Sequence, residues 1–305
     1  MVPDAEFTSY YGRPVLKETV WGLDVPSYLF LGGLAGASSA LAAGAHLSGR
    51  PELARTAKAG AAGAIGLSLV ALVHDLGRPA RFLNMLRVFK VTSPMSVGTW
   101  LVSGYAPLAL AAAGCAVTGR MPRAGLGATA GAAALGPAVA AYTSVLLADT
   151  AAPAWHEAYR ELPYLFVGSA ATAAGGLGLL AVAPERARPA ARLAALGAVA
   201  EIAAEQLLHR RLGAVARPYR TGRSGALLRS GQVLAASGTA AALLGRRSRA
   251  LSGLAGAALL AGSAVTRFGV FEAGRVSARD PGYVIGPQRE RVRAREQSAG
   301  LTPPA

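Results

Sequence analysis

The chain is 305 residues long, 52% hydrophobic and only 15% charged, with a mean hydropathy of +0.37. A soluble protein of this length needs far more charged surface, so the composition excludes an ordinary pair of soluble domains and points to a chain crossing a membrane several times. The net charge of +15 would suggest nucleic acid in a soluble protein; here the arginines fall between apolar runs, where the lipid bilayer accounts for them and no nucleic acid is expected.

Residues 1–24 form a polar N-terminal segment holding Asp4, Glu6, Arg13, Lys17 and Glu18 without an early apolar core. No cleavable signal peptide is expected there, so the first span acts as its own insertion signal. A helix needs about 20 mostly apolar residues to cross a bilayer. Such runs occupy residues 25–48, 56–75, 97–118, 125–148, 163–183, 189–209, 225–244 and 249–271. Breakers and charges separate them, as in Gly49-Arg50-Pro51, Gly77-Arg78-Pro79, Arg120-Met121-Pro122 and Gly245-Arg246-Arg247. The expected fold is an all-α integral membrane protein of about eight transmembrane helices. Small residues such as Gly32 and Gly36 let these helices approach closely.

An even number of spans puts both termini on one side, the terminal face. That face receives the long connections and most of the chemistry-bearing side chains. Asp24 and Tyr28 open the first span; His74 and Asp75 close the second; Trp100 lies just inside the third. Tyr142 and Asp149 end the fourth, and Glu161 and Tyr164 open the fifth. Glu201, Glu205 and His209 lie towards the end of the sixth, Arg229 and Gln232 early in the seventh, and Arg267 and Glu272 at the end of the eighth. Ionisable groups inside a membrane are costly, so a one-sided cluster marks a candidate site.

Further readings follow from particular residues. Pro26-Ser27-Tyr28-Leu29-Phe30 opens the first span and Pro163-Tyr164-Leu165-Phe166 the fifth, an echo that suits a parallel repeat about the membrane normal. Glu201 and Glu205 share one helix face; they form either a proton path or a structural pairing with Arg229 or Arg267. The single cysteine, Cys115, excludes an internal disulfide, a self-contained iron–sulfur cluster and a thiolate zinc site. No spacing of the four histidines demands haem, so neither bound metal nor haem is expected. The tail from residue 272 is rich in arginine and reads either as a solvated end or as a docking element that becomes helical.

The most distinctive stretch is His74-Asp75-Leu76-Gly77-Arg78-Pro79-Ala80-Arg81-Phe82, leading to Ser93-Pro94-Met95-Ser96-Val97-Gly98-Thr99-Trp100. With Asp24-Val25-Pro26-Ser27-Tyr28, Asp149-Thr150-Ala151-Ala152-Pro153-Ala154-Trp155 and Glu161-Leu162-Pro163, it resembles the NrfD family of integral membrane subunits of polysulfide reductase-like complexes. The resemblance implies two four-helix bundles, residues 25–162 and 163–271, followed by a basic tail over 272–305. It also implies a quinone site near the face where a four-cluster ferredoxin-like iron–sulfur subunit docks. That subunit would relay electrons to or from a molybdopterin catalytic subunit.

On the matching positions, Tyr28 and Tyr142 stand at the quinone head group, with Asp24 and Arg78 beside them. Tyr142 and Asp75 are the groups expected to act in the chemistry. Arg81, Trp155 and Glu161 are candidates for partner docking, and Glu201 and Glu205 for proton transfer. Without the resemblance, both tyrosines read first as an interfacial aromatic belt. Asp75, Arg78 and Arg81 read either as a network shaping the loop or as head-group solvation. The implied function is electron exchange between the quinone pool and the iron–sulfur partner of a molybdopterin oxidoreductase in a bacterial cell membrane. Menaquinone or ubiquinone would be the exchangeable substrate. The rival reading is a proton-coupled secondary transporter.

Overall fold

The computed structural model describes residues 15–17, 19–78, 80–245 and 248–298. Most of the N-terminal segment, Pro79 of the loop motif and the Arg246-Arg247 junction lie outside the described residues. Eight long helices carry the fold: α1 (Asp24–Leu47), α2 (Pro51–Asp75), α4 (Pro94–Thr118), α5 (Pro122–Ala148), α7 (Leu162–Ala181), α8 (Arg188–Leu212), α10 (Gly222–Leu244) and α11 (Arg249–Arg279). Shorter pieces, α3 (Arg81–Met85), α6 (Pro153–Glu157), α9 (Arg217–Arg220) and α12 (Gly282–Ser298), lie on the terminal face. No strand occurs among the described residues.

The junction residues explain the boundaries. Pro51, Pro94, Pro122, Pro163 and Pro189 stand in the first turns of their helices, where the missing N–H costs nothing. Gly49 and Gly119 follow α1 and α4 at φ 66° and 67°, the left-handed conformation that ends a helix. The Ser93 hydroxyl accepts from the Ser96 N–H and caps α4. At the other end of α7, Arg249 donates to the carbonyls of Leu179 (3.1 Å), Val182 (2.8 Å) and Leu180 (2.6 Å), satisfying acceptors that a helix end leaves open.

Six of the long helices, α1, α2, α4, α5, α7 and α11, are long and apolar enough to cross a membrane. The other two, α8 and α10, are long enough but more polar, since α8 carries Arg188, Arg192, Glu201 and Glu205 and α10 carries Arg223 and Arg229. They nevertheless pack along α7 and α11. Of their charged residues, Glu201 and Glu205 of α8 are turned inward and buried, while Arg188, Arg192, Arg223 and Arg229 stay exposed.

Helices α1, α2, α4 and α5 pack as one group, and α7, α8, α10 and α11 as another, with α1, α5, α7 and α11 joining them. Four crossings set backbone on backbone through facing glycines: Gly36 with Gly136, Gly168 with Gly197, Gly176 with Gly256, and Gly231 with Gly262. With no hydrophobic drive between helices in lipid, such contact is what holds them together. On the terminal face α12 is helical, and its Arg291 donates to Glu157 at 2.6 Å.

A methyl group at Gly36 would overlap the Gly136 carbonyl, whereas Gly44 faces open space. Gly36→Ala is therefore expected to lower the thermal midpoint of the detergent-solubilised protein, at a cost of about 1–3 kcal/mol. Gly44→Ala should leave the midpoint unchanged or raise it. Equal midpoints for Gly36→Ala and the parent would contradict the crossing.

Candidate functional site

A mostly apolar cleft opens at the terminal end of the first group of helices. It encloses about 130 Å³, and its walls come from α1, α2, α4 and α5, with Phe82 and Met85 of α3 and Trp21 beside them. Comparable apolar cavities of about 150 Å³ accept a benzene ring, so this one suits a single six-membered ring. The phenols of Tyr28 and Tyr142 and the carboxylate of Asp75 face it; Ser68, Thr99 and Thr143 also line it, their hydroxyls donating to the backbone carbonyls of Tyr28, Met95 and Ala140.

Each wall follows from the local sequence. Gly32 leaves the α1 wall bare, and a methyl there would sit 3.7 Å from the Ser68 hydroxyl and the Thr143 methyl, both of which line the cleft. Ser68 ties α2 to α1 by donating to the Tyr28 carbonyl at 3.2 Å. The Tyr142 ring lies against Gly98, where any side chain would overlap it, and its hydroxyl donates to the Pro94 carbonyl at the start of α4. The Tyr28 hydroxyl has no hydrogen-bond partner among the described residues, so it is free to donate to a ligand.

The structure separates the residues singled out in the sequence. Tyr28, Tyr142 and Asp75 meet in the cleft. Asp24 does not line it; its carboxylate is 2.9 Å from His74 Nδ1 on the exposed rim, close enough to act on the charge of Asp75. Arg78 is exposed in the loop after α2 and is likewise outside the lining. Arg81, also exposed, donates to the Leu76 carbonyl at 3.3 Å and braces that loop. Gly98 and Ser68 were not singled out as site residues; Gly98 lay within the distinctive motif, and Ser68 had no signal beyond its place on α2.

Two residues expected at a docking surface are interior. Trp155 is 0% exposed, stacked with Trp21 at 5.8 Å and tilted against Phe271 at 5.6 Å. Its indole N–H donates to the Val270 carbonyl at 2.7 Å, and Gly274 leaves room for its ring. It has no surface with which to meet a partner, because residues 152–155, with Ala158 and Leu162, turn inward as a plug against Val25 and Leu29 of α1 and Val270 and Phe271 of α11. Glu161 is also buried and takes two bonds of 2.6 Å from the Arg211 guanidinium, so its charge is already matched. Tyr219 completes the plug, donating to the Ala154 carbonyl at 2.8 Å. Burial pushes the Tyr219 phenol up from its ordinary pKa, with Glu161 and Glu205 adding to the shift, so it stays a neutral donor.

Glu201 and Glu205 lie away from the cleft, among α7, α8, α10 and α11. Arg229 takes no part in pairing them: its guanidinium donates to the Arg220 carbonyl at 2.8 Å. The Arg267 charge does reach Glu201.

The protein-family model described as polysulphide reductase, NrfD matches residues 15–214, which include the whole lining of the cleft and Trp155, Glu161 and Arg211 of the plug. No curated protein matches the chain.

Replacing Trp155 by Ala should destabilise the folded subunit by about 3–5 kcal/mol, read as a lower thermal midpoint. An unchanged midpoint with partner binding selectively lost would return Trp155 to a surface role.

Proposed function

We propose that this chain, which belongs to the NrfD polysulphide reductase family, binds a quinone head group in the cleft between α1, α2, α4 and α5. There it exchanges electrons between the quinone pool and an iron–sulfur partner subunit of a molybdopterin oxidoreductase. The observation that carries this reading is the cleft itself: ring-sized, apolar along most of its walls, with two phenols and one carboxylate facing in beside hydroxyls already bonded to backbone carbonyls. An apolar pocket with a few convergent polar groups is the usual form of a small-molecule site.

Quinone chemistry needs hydrogen bonds at two carbonyl oxygens, an apolar path for the tail and a route for two protons. The free Tyr28 hydroxyl can donate to one carbonyl. Tyr142 can accept from a quinol hydroxyl while donating to Pro94, or turn its proton to a quinone carbonyl. Asp75 lies at the exposed mouth and can pass protons to and from water on the terminal face. Arg78 and Arg81, exposed beside that mouth, suit the docking of the iron–sulfur subunit and keep the electron path short. Trp155, Glu161 and Arg211 serve the same surface indirectly, by holding the plug beneath it. The membrane would be a bacterial cell membrane.

Tyr28→Phe and Tyr142→Phe should each lower quinone-linked turnover of the assembled complex by about tenfold, the equivalent of one lost hydrogen bond of about 1.4 kcal/mol. Assembly, followed on native gels, should be retained. Unchanged quinone kinetics in both variants would overturn the assignment. A chain that purifies alone in mild detergent and moves a solute with protons would favour the transporter reading instead.

A further inference from the structure

Glu201 and Arg267 are sealed together inside the second group of helices, 3% and 0% exposed. Arg267 donates through Nη2 to the Phe166 carbonyl at 2.6 Å and lies 3.8 Å over the Phe166 ring. Its Nε and Nη1 have no partner, and neither does Glu201 Oε2. Glu201 lies beside the hydroxyls of Thr266 and Ser169. The charged groups acting on it are Arg267 of α11 and Glu205 of α8; α7 offers it only Ser169, and Arg229 of α10 is turned outward. Buried ionisable atoms are kept in a membrane interior when they have work to do.

The cluster extends in one direction. Glu201, Glu205 and His209 are spaced by fours, rising about 12 Å along one face of α8 towards the terminal side. Glu205 Oε1 is 3.4 Å from His209 Nε2, and its other oxygen accepts from Gln232. His209 Nδ1 is buried and unpartnered. One turn beyond Glu201 in the opposite direction, Gly168 and Gly197 meet backbone to backbone and leave no room for a chain of water. Ser169 and Ser263 bond to each other at 2.9 Å at the same level.

The closed end abuts α1. A Cβ at Gly33 would lie 3.2 Å from Arg267 Nη2, while the adjacent Gly32 lines the cleft. Only bare α1 backbone therefore separates this cation from the cleft, in surroundings where charges act strongly on one another.

We infer that Glu201 is a proton-loading group served from the terminal face through His209 and Glu205, and that Arg267 couples its protonation to charge in the cleft across Gly32 and Gly33. This rests on the quinone reading. As electrons enter the cleft from the iron–sulfur partner, the added negative charge draws on Arg267 and weakens its hold on the Glu201 carboxylate. A proton from terminal-side water then passes by His209 and Glu205 to a Glu201 oxygen. It forms one O–H bond there, and no electron moves through the cluster. Reoxidation reverses the step, and the proton returns to the side from which it came.

The test is quinone-reduced-minus-oxidised infrared difference spectroscopy of the whole complex in liposomes. A protonated-carboxyl C=O band should appear on reduction, shift in D₂O, disappear in Glu201→Gln and move in Glu201→Asp, the variant to use where Glu201→Gln does not assemble. Quinone bands without a carboxyl band, or a band unaltered by either variant, would overturn the inference alone. A wild-type complex with no quinone-dependent spectrum would overturn the quinone reading and this inference with it.

Discussion

Three glycines on α1 govern what the rest of the molecule can do. Gly36 lets α1 cross α5 at backbone contact, Gly33 admits the Arg267 guanidinium, and Gly32 leaves one wall of the cleft bare. Any side chain at Gly36 would force the crossing apart, and a larger one at Gly33 would push the buried cation away from α1. Lipid offers no hydrophobic drive for helix association, so close packing and satisfied polar groups hold such a bundle together. α1 is accordingly the shared wall: the cleft lies on one side of it and the buried Arg267–Glu201 cluster on the other.

The terminal face is built to a similar economy. Trp155, Tyr219, Glu161 and Arg211 form a plug whose polar atoms are matched by carbonyls and by one another. That interior network fixes the ends of the helices while leaving Asp75, Arg78 and Arg81 on the outer surface. The rigid part lies beneath and the reactive part above, as a surface that must receive both a partner and a head group requires. Glu157 adds a tie to α12 through Arg291, so the basic tail is fastened over the same face.

Much of this was legible in the residues. Apolar length and the prolines at helix starts place the long helices within about five residues of their ends, except that α11 runs to Arg279, eight residues past the expected end at 271, because Ala273, Gly274, Ser277 and Ala278 are buried and extend its packing. Alternation of direction puts Tyr28, Asp75 and Tyr142 on one face, and packing brings them into one cleft. Other features depend on three-dimensional packing. Trp155 stands in a short polar connection, where an aromatic side chain ordinarily marks an interface; its burial follows from the inward fold of that connection against Phe271 and Gly274. Asp24 carries the same sequence signal as Asp75, yet His74 holds it on the rim. Glu201 and Glu205 of α8, with Gln232 of α10, belong to a buried cluster that only tertiary contact makes intelligible. Gly98 has no chemistry of its own and matters solely because the Tyr142 ring lies on it.

The central claim, that the cleft between α1, α2, α4 and α5 takes the quinone ring, is tested most directly by photolabelling. The assembled complex would be irradiated with an azido-substituted quinone and the labelled peptides mapped by mass spectrometry. Saturable labelling is expected on peptides containing Tyr28, Asp75, Met95 or Tyr142, suppressed by unlabelled quinone. Saturable labelling confined to α7, α8, α10 or α11 would contradict it.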